Sequence, residues 1–293
     1  MKFTKMQGCG NDYVYINCFE EKTENPEELA IKLSDRHFGI GGDGVIFIRP
    51  SQTADCMMDM YNLDGSRGKM CGNGIRCVGK YAYDHGIVKD TEINVETLSG
   101  IKKLTLFPGK DGKIEKVKVD MGCAVFDPVK IPLNLEELSD TEKENDETMG
   151  CAVCIKNHPL LINGQVFNFT FVSMGNPHAV TFIDETSGLD IVSYGPEAET
   201  HKMFPEKANI EFIQIVDRSH INMRVWERGS GETFACGTGA CAAVVACVEN
   251  GLTENEVEVN LLGGKLDIVY NRENGNVFMT GPAVEVFNGE IDI

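Results

Sequence analysis

Two cysteines offer this chain its most distinctive chemistry. Cys236 sits in Cys-Gly-Thr-Gly, after a glycine-rich turn and before a run of small apolar residues that predicts a helix to about Gly251. Cys71 sits in Cys-Gly-Asn-Gly and opens a second helical stretch, which runs to about His85 and closes at Gly86. A helix N-terminus leaves backbone N–H groups unpaired and carries roughly half a positive charge. A thiol placed there is biased toward thiolate, its reactive form, and the same N–H groups can hold a carboxylate. The dipole contributes only ~0.3–1 kcal/mol, less than one unit on a free thiol's pKa of ~8.5. That supplies a base. It leaves the weak acidity of a Cα–H as the larger barrier, so the developing charge must be met by aimed donors. The N–H groups following Cys71 and Cys236, those of Gly72, Asn73, Gly237 and Thr238, are the natural ones.

The two cysteines are related by an offset of 165 residues (236 minus 71), and the same shift carries Gly72, Gly74 and Gly86 onto Gly237, Gly239 and Gly251. It also carries Gly10-Asn11 onto Gly175-Asn176 and Phe47-Ile48 onto Phe212-Ile213. A repeat of this length predicts two similar domains, with the site expected between them. Each would bring one thiol to opposite faces of a ligand. One acid and one base on opposite faces of a tetrahedral carbon is what stereoinversion requires: one thiolate removes the proton and the other thiol delivers one. Such a pair shares a charge, so its titrations are coupled.

Polar residues on the repeated motifs extend the candidate site. Asn11, Asn62, Asn73, Asn176 and Asn209 lie in turns or at strand ends, where Asn is common for structural reasons; five on matched motifs point to ligand contact. Arg228 can clamp a carboxylate bidentately or pair with its neighbour Glu227. His178, after Pro177, can tune a thiol or cap a turn.

These residues need a scaffold of strands and a few helices. Strands are expected at 2–7, 13–18, 45–49, 57–62, 91–97, 102–107 and 113–120, then at 151–155, 165–173, 179–183, 208–216, 220–227, 256–261, 265–270 and 276–280, with a last short strand ending at 293. Asn25-Pro26-Glu27-Glu28 reads as a helix start with Asn25 as cap. A further helix over 189–203 is expected to break at Gly195-Pro196. The 240–248 segment is apolar on every face, so it is expected to be wrapped by sheet; Arg76, Lys80 and Tyr83 give the first-half helix a wetter edge. The architecture is therefore an α/β (α+β) chain of two pseudo-symmetric domains, each a barrel-like mixed sheet around a central helix: 1–127 with a returning strand in 281–293, and 128–280, with an exposed acidic insertion at about 133–149.

The 293 residues are 42% hydrophobic and 25% charged, with a net charge of −18, which argues against nucleic acid and anionic membranes as partners. No apolar run reaches the ~20 residues of a membrane span, and no signal-peptide core follows Met1, so a cytoplasmic protein is expected. Eleven cysteines, an odd number, suit free thiols in a reducing compartment. Cys151-x-x-Cys154 lacks a second pair at ligand spacing, so buried thiols are expected there; a redox or zinc role would instead require a bound metal or a reversible disulfide.

Several motifs resemble the diaminopimelate epimerase family of cofactor-independent amino-acid epimerases. They are Gly10-Asn11-Asp12, Gly39-Ile40-Gly41-Gly42-Asp43, Tyr61-Asn62-Leu63-Asp64-Gly65-Ser66, Cys71-Gly72-Asn73-Gly74, Met174-Gly175-Asn176-Pro177-His178, Phe204-Pro205-Glu206 with Asn209, and Trp226-Glu227-Arg228-Gly229 through Cys236-Gly237-Thr238-Gly239. The resemblance implies Cys71 and Cys236 as the acid/base pair, and His178 and Glu227 as modulators of the thiols. It implies diaminopimelate as substrate, bound by Asn11, Asn62, Gly72, Asn73, Asn176, Asn209, Glu227, Arg228, Gly237 and Thr238. It implies no cofactor and no metal, a homodimer, and a place in lysine and peptidoglycan precursor biosynthesis. Gly44 departs from members that carry a substrate-contacting Gln, Ala179 from members with Cys or another small residue, and Phe287 from a tyrosine tied to dimer contacts. The same chemistry would serve a proline or hydroxyproline racemase, but a cyclic amino acid has no second zwitterionic end to occupy Asn62, Asn209 and Arg228.

Overall fold

A computed structural model describes residues 1–139 and 154–292. They fall into two compact units, Met1–Asp120 joined by the chain from Thr280, and Met121–Met279. Alternating apolar residues make the first unit a mixed sheet. Its strands are β1 (Lys2–Gly8), β2 (Asn11–Asn17), β3 (Gly44–Arg49), β4 (Cys56–Asn62), β5 (Arg67–Gly68), β6 (Glu92–Thr97), β7 (Gly100–Pro108) and β8 (Ile114–Cys123). Helices α1 (Pro26–Ser34) and α2 (Gly72–Asp84) interrupt the strands. In the second unit the strands are β9 (His158–Ile162), β10 (Gln165–Ser173), β11 (Pro177–Phe182), β12 (Asn209–Ile215), β13 (His220–Glu227), β14 (Gly231–Glu232), β15 (Glu256–Leu261), β16 (Gly264–Tyr270) and β17 (Asn276–Pro282), with helices α3 (Ile191–Glu199) and α4 (Gly237–Glu249). Strand β18 (Val284–Glu290) pairs antiparallel with β1.

The repeat is present residue by residue in the pairing. Val14 faces Val45 in the parallel β2–β3 pair and Ala179 faces Ile210 in β11–β12, a shift of 165 at both positions (179 minus 14, 210 minus 45). Beyond the helices the shift falls to 164: Glu92 faces Thr105, and Glu256 faces Val269 (256 minus 92, 269 minus 105). The second copy is therefore one residue shorter than the first in the connection after its central helix.

Each unit is organised around its second helix. α4 packs against β10, β11, β12, β15 and β16, and every residue from Gly239 to Val248 is buried. Its small and branched apolar side chains let strands close around it on every face. α2 packs in the same way against β1, β2, β4, β6 and β7.

Several expectations are corrected. Arg76 and Lys80 are buried rather than on a wet edge. The Arg76 guanidinium donates to the Gly72 and Pro282 carbonyls at 3.0 and 3.2 Å, and Lys80 Nζ donates to Asp84 Oδ2 at 2.7 Å and Ile114 O at 2.6 Å. Buried cations are tolerated because their donors are met. Asn25 precedes Pro26 as expected but has a left-handed backbone, and its side chain makes no cap bond. The expected insertion starts too early at 133. Leu133 and Leu138 join the second unit's core, Asn134 caps a short 3-10 turn at Leu135–Glu137, and 140–149 lie outside the described residues. The strand expected over 151–155 does not form at 154–155, while 151–153 are not described. The strand lies instead at His158–Ile162, where an exposed Pro159 disguises an inward His158, Leu160 and Ile162. Among the described residues no helix is long and apolar enough to cross a membrane.

The helix expected to break at Gly195-Pro196 runs through both. Trp226 explains the glycine: a Cβ on Gly195 would lie 2.3 Å from the indole. That indole donates from Nε1 to Glu199 Oε2 at 2.9 Å. Gly195→Ala should therefore lower stability by about 1–3 kcal/mol through overpacking, although helix propensity alone would raise it by ~1 kcal/mol. Thermal unfolding of the variant checks the sign.

Candidate active site

In the first unit Cys71 is the N-cap of α2, with extended backbone (φ −127°, ψ 123°), and its sulfur accepts the Gly74 N–H at 3.4 Å. The thiol donates to Asn11 Oδ1 at 3.3 Å. Asn11 is oriented from behind, because its Nδ2 donates to Asp43 Oδ2 at 2.7 Å. Asp43 is held in turn by Arg36, which bridges Asp43 at 3.0 Å and Asp12 at 2.7 Å, and Lys5 pairs with Asp12 at 2.5 Å. These bonds leave the Asn11 oxygen, not its amide N–H, facing the sulfur. Tyr13 lies nearby; burial first, then the Cys71 and Asp43 charges, push its phenol well up.

Asn62 ends β4, and its Nδ2 donates to Ser66 Oγ at 3.0 Å. Gly44 faces it across the β3–β4 pair. A Cβ at Gly44 would lie 2.1 Å from the Tyr61 carbonyl, so the backbone leaves no room there for a side chain.

In the second unit Cys236 is the N-cap of α4 in the same conformation (φ −114°, ψ 111°), and its sulfur accepts the Gly239 N–H at 3.4 Å. A chain of polar contacts leads away from it. Thr238 Oγ1 lies 3.5 Å from the sulfur and accepts Asn176 Nδ2 at 3.3 Å. Asn176 Oδ1 is 3.1 Å from His178 Nε2, and His178 Nδ1 is 2.7 Å from Glu211 Oε1. The Glu227 carboxylate accepts the Thr233 hydroxyl. Arg228 does not pair with it; its guanidinium donates to the Glu206 carbonyl at 3.1 Å. The Asn209 amide holds backbone at both ends, donating to Pro177 O at 2.9 Å and accepting Arg228 N–H at 3.0 Å. It thereby fixes the strand ends that carry His178 and Arg228.

Electrostatics at Cys236 run against the expected bias toward thiolate. Burial, then the Glu227 and Glu211 carboxylates, hold its thiol well above the usual cysteine range. The bonds from Thr238 and the Gly239 N–H pull the other way and lose. Glu227 is itself raised, chiefly by burial, against the lowering effect of bonds from Thr233 and Cys236 and the charge of His178.

Sequence reasoning missed Glu211, Tyr13, Asp43 and Thr233. Glu211 was hidden because an acid in a strand ordinarily faces water. The repeat offset was a usable signal for Tyr13, since it places Tyr13 at the position of His178. Among the described residues no group of three or more His, Cys, Asp or Glu could hold a metal ion. Cys154 is a buried free thiol pushed up to about 12 by burial, and Cys151 lies outside the described residues.

Residues 3–126 and 170–286 match the diaminopimelate epimerase family. A diaminopimelate epimerase from Agathobacter rectalis is 53% identical over 293 residues and is covered, like this chain, to 100%. One from Acetivibrio thermocellus is 52% identical over 293 residues, covering 100% of this chain and 99% of that one. Among solved structures, a PhzF-family phenazine biosynthesis protein from Bacillus anthracis superposes with a TM-score of 0.68 at 17% identity, covering 100% of this chain and 99% of that one. A probable proline racemase from Agrobacterium radiobacter, with bound carbonate, gives 0.67 at 15% identity, covering 100% and 93%. At those identities the shared property is the fold, a mixed α+β sheet architecture.

Cys71 is partly exposed and Cys236 is buried. Iodoacetamide at mildly alkaline pH should therefore label Cys71 on the order of tenfold faster than Cys236, because Cys71 is open to the reagent while Cys236 is buried and its thiol is held above the usual cysteine range. Peptide mass spectrometry reads the two rates; equal rates would show that burial does not govern reactivity here.

Proposed function

The chain belongs to the diaminopimelate epimerase family, and on that footing we propose that it interconverts LL- and meso-diaminopimelate through a proton relay between Cys71 and Cys236, in the supply of lysine and peptidoglycan precursors. One observation carries the proposal: the two thiols occupy the same position of the repeat, each capping the N-terminus of its unit's central helix. Inverting a single carbon demands that the two half-sites serve that carbon from opposite faces.

The step balances with substrate and thiols alone. A thiolate takes the proton from Cα, and the electron pair left behind spreads into the carboxylate. The opposite thiol then gives its proton to Cα from the other side and becomes thiolate. In this reaction the backbone N–H groups of Gly72, Asn73, Gly237 and Thr238 at the helix starts meet the growing negative charge. Asn11, Asn62, Asn176 and Arg228 bind the substrate's polar ends, with Asn209 supporting the strands that carry them. His178 and Glu227 set the charge around Cys236.

The proposal includes a homodimer. Strand β18 leaves Val284, Val286 and Phe287 exposed, with Phe287 edge-on to Phe3 at 6.0 Å between ring centres. Sedimentation at the mass of a single 32.2 kDa chain at micromolar concentration would remove that part.

Incubated in deuterated water, LL-diaminopimelate should gain α-deuterium and yield the meso isomer. Cys71→Ala and Cys236→Ala should each lose about 10²–10⁴-fold in epimerisation, the range for removing a positioned acid or base. Undiminished epimerisation in both variants would end the proposal.

A further inference from the structure

The repeat makes the two half-sites comparable position by position, and at one place they differ in kind. Gly74 and Gly239 are equivalent, as are Met58 and Met223. A Cβ on Gly74 would meet Ile46 Cδ1 at 2.7 Å and Met58 Cε at 3.0 Å; one on Gly239 would meet Glu211 Oε1 at 2.6 Å and Met223 Cε at 3.1 Å. The last glycine of each cysteine motif thus makes room for a side chain packed beneath the helix start. In the first unit that side chain is Ile46; in the second, at the same position plus 165, it is Glu211 (211 minus 46). The next strand repeats the contrast, with Tyr13 in one unit and His178 in the other (178 minus 13).

Glu211 is fully buried, as is His178. Its Oε1 meets His178 Nδ1 at 2.7 Å, whereas its Oε2 is buried without a hydrogen-bond partner among the described residues. Burying a carboxyl group with one oxygen unsatisfied is costly to stability. Swapping an apolar residue for it in one copy of a duplicated core is an expensive asymmetry. The groups facing the Cys236 sulfur are Glu211 from β12, Glu227 from β13, and Thr238 on its own helix, with His178 on β11 reaching it through Asn176 and Thr238.

We propose that Glu211 is the positioning residue that makes the two thiols unequal: it orients His178 and Asn176 beneath Cys236 and keeps the proton on that sulfur before substrate arrives. This rests on the two-thiol reading and deepens it. Cys236 enters the reaction as the acid. The isomer whose Cα–H faces Cys71 is the one the resting protein is prepared for. In that direction Cys71 takes the Cα proton, the S–H bond of Cys236 breaks with its electron pair staying on sulfur, and the new Cα–H bond forms on the opposite face.

The test follows alkylation of Cys236 by iodoacetamide across pH, peptide by peptide, in the whole protein without substrate. In the unaltered protein the Cys236 midpoint should lie above the ~8.5 of a free thiol; a midpoint at or below that value overturns the inference without any variant. Glu211→Gln keeps the shape and removes the charge, and it should lower the Cys236 midpoint by about one pH unit. The Cys71 profile in the same sample should not move, which also reports that the variant is folded. Glu211→Asp, which restores the charge, should restore most of the midpoint. A Cys236 midpoint unchanged in Glu211→Gln, or moved equally in Glu211→Asp, overturns the inference. Because alkylation needs no turnover, these outcomes stand apart from the deuterium experiment. A shifted midpoint with no exchange on diaminopimelate would sink the epimerase reading and leave the role of Glu211 standing.

Discussion

A helix enclosed by strands on all sides has only its two ends through which polar groups can reach anything but core. That constraint is strict in the second unit, and the first unit relaxes it only where Arg76 and Lys80 find carbonyl and carboxylate partners. The sides of α4 must be small and apolar, so its first-turn N–H groups become the principal polar feature of the unit's interior. Those groups need a partner, and in each unit a cysteine sulfur accepts one of them at 3.4 Å. Sulfur is a weak acceptor beside the Ser, Thr or Asp that usually cap helices. A cysteine at this position therefore closes the helix less strongly than the usual caps would. Within each unit a polar chain starts at the sulfur, through Asn11 and Asp43 at Cys71 and through Thr238, Asn176 and His178 at Cys236.

The same geometry has been furnished differently in the two copies. Around Cys71 the network runs outward to exposed charge: Asn11 to Asp43 to Arg36. Around Cys236 it runs inward, through Thr238, Asn176 and His178 to a carboxylate with no access to water. Outward networks are screened by solvent and cost little. Inward ones act at low effective dielectric, where a single charge has long reach. The repeat gives two matching thiol positions with different side chains packed beneath them, Ile46 in one unit and Glu211 in the other.

Much of this was legible in the residues because it follows from local rules. The uniform run of small residues in α4 allows only a fully enclosed helix, and motif spacing alone exposed the repeat that the strand registers share. The failures have a common physical form: a polar residue whose partner is distant in sequence. Arg76 reads as a surface residue until Pro282 supplies its carbonyl. Glu211 reads as solvent-facing because β12 is buried on both faces and shows no alternation to mark an inward position. Gly195-Pro196 reads as a break until Trp226, far along the chain, explains why the helix carries a glycine there. Propensity describes a residue's neighbours in sequence, and these three are decided by neighbours in space.

The strand that completes the first unit is made after the whole of the second. β18 pairs with β1, the Met1 amino group donates to the Ile291 carbonyl at 2.7 Å, and Arg76 at the heart of α2 takes the Pro282 carbonyl. The second unit, by contrast, is one continuous stretch, Met121–Met279. On a ribosome the first unit therefore emerges first and finishes second. Its sheet has an unpaired β1 edge, and the buried guanidinium of Arg76 lacks one of its carbonyl partners, until the whole of the second unit has been synthesised. The order of assembly is the reverse of the order of translation, and the half-site built around Cys71 is the later of the two to be completed.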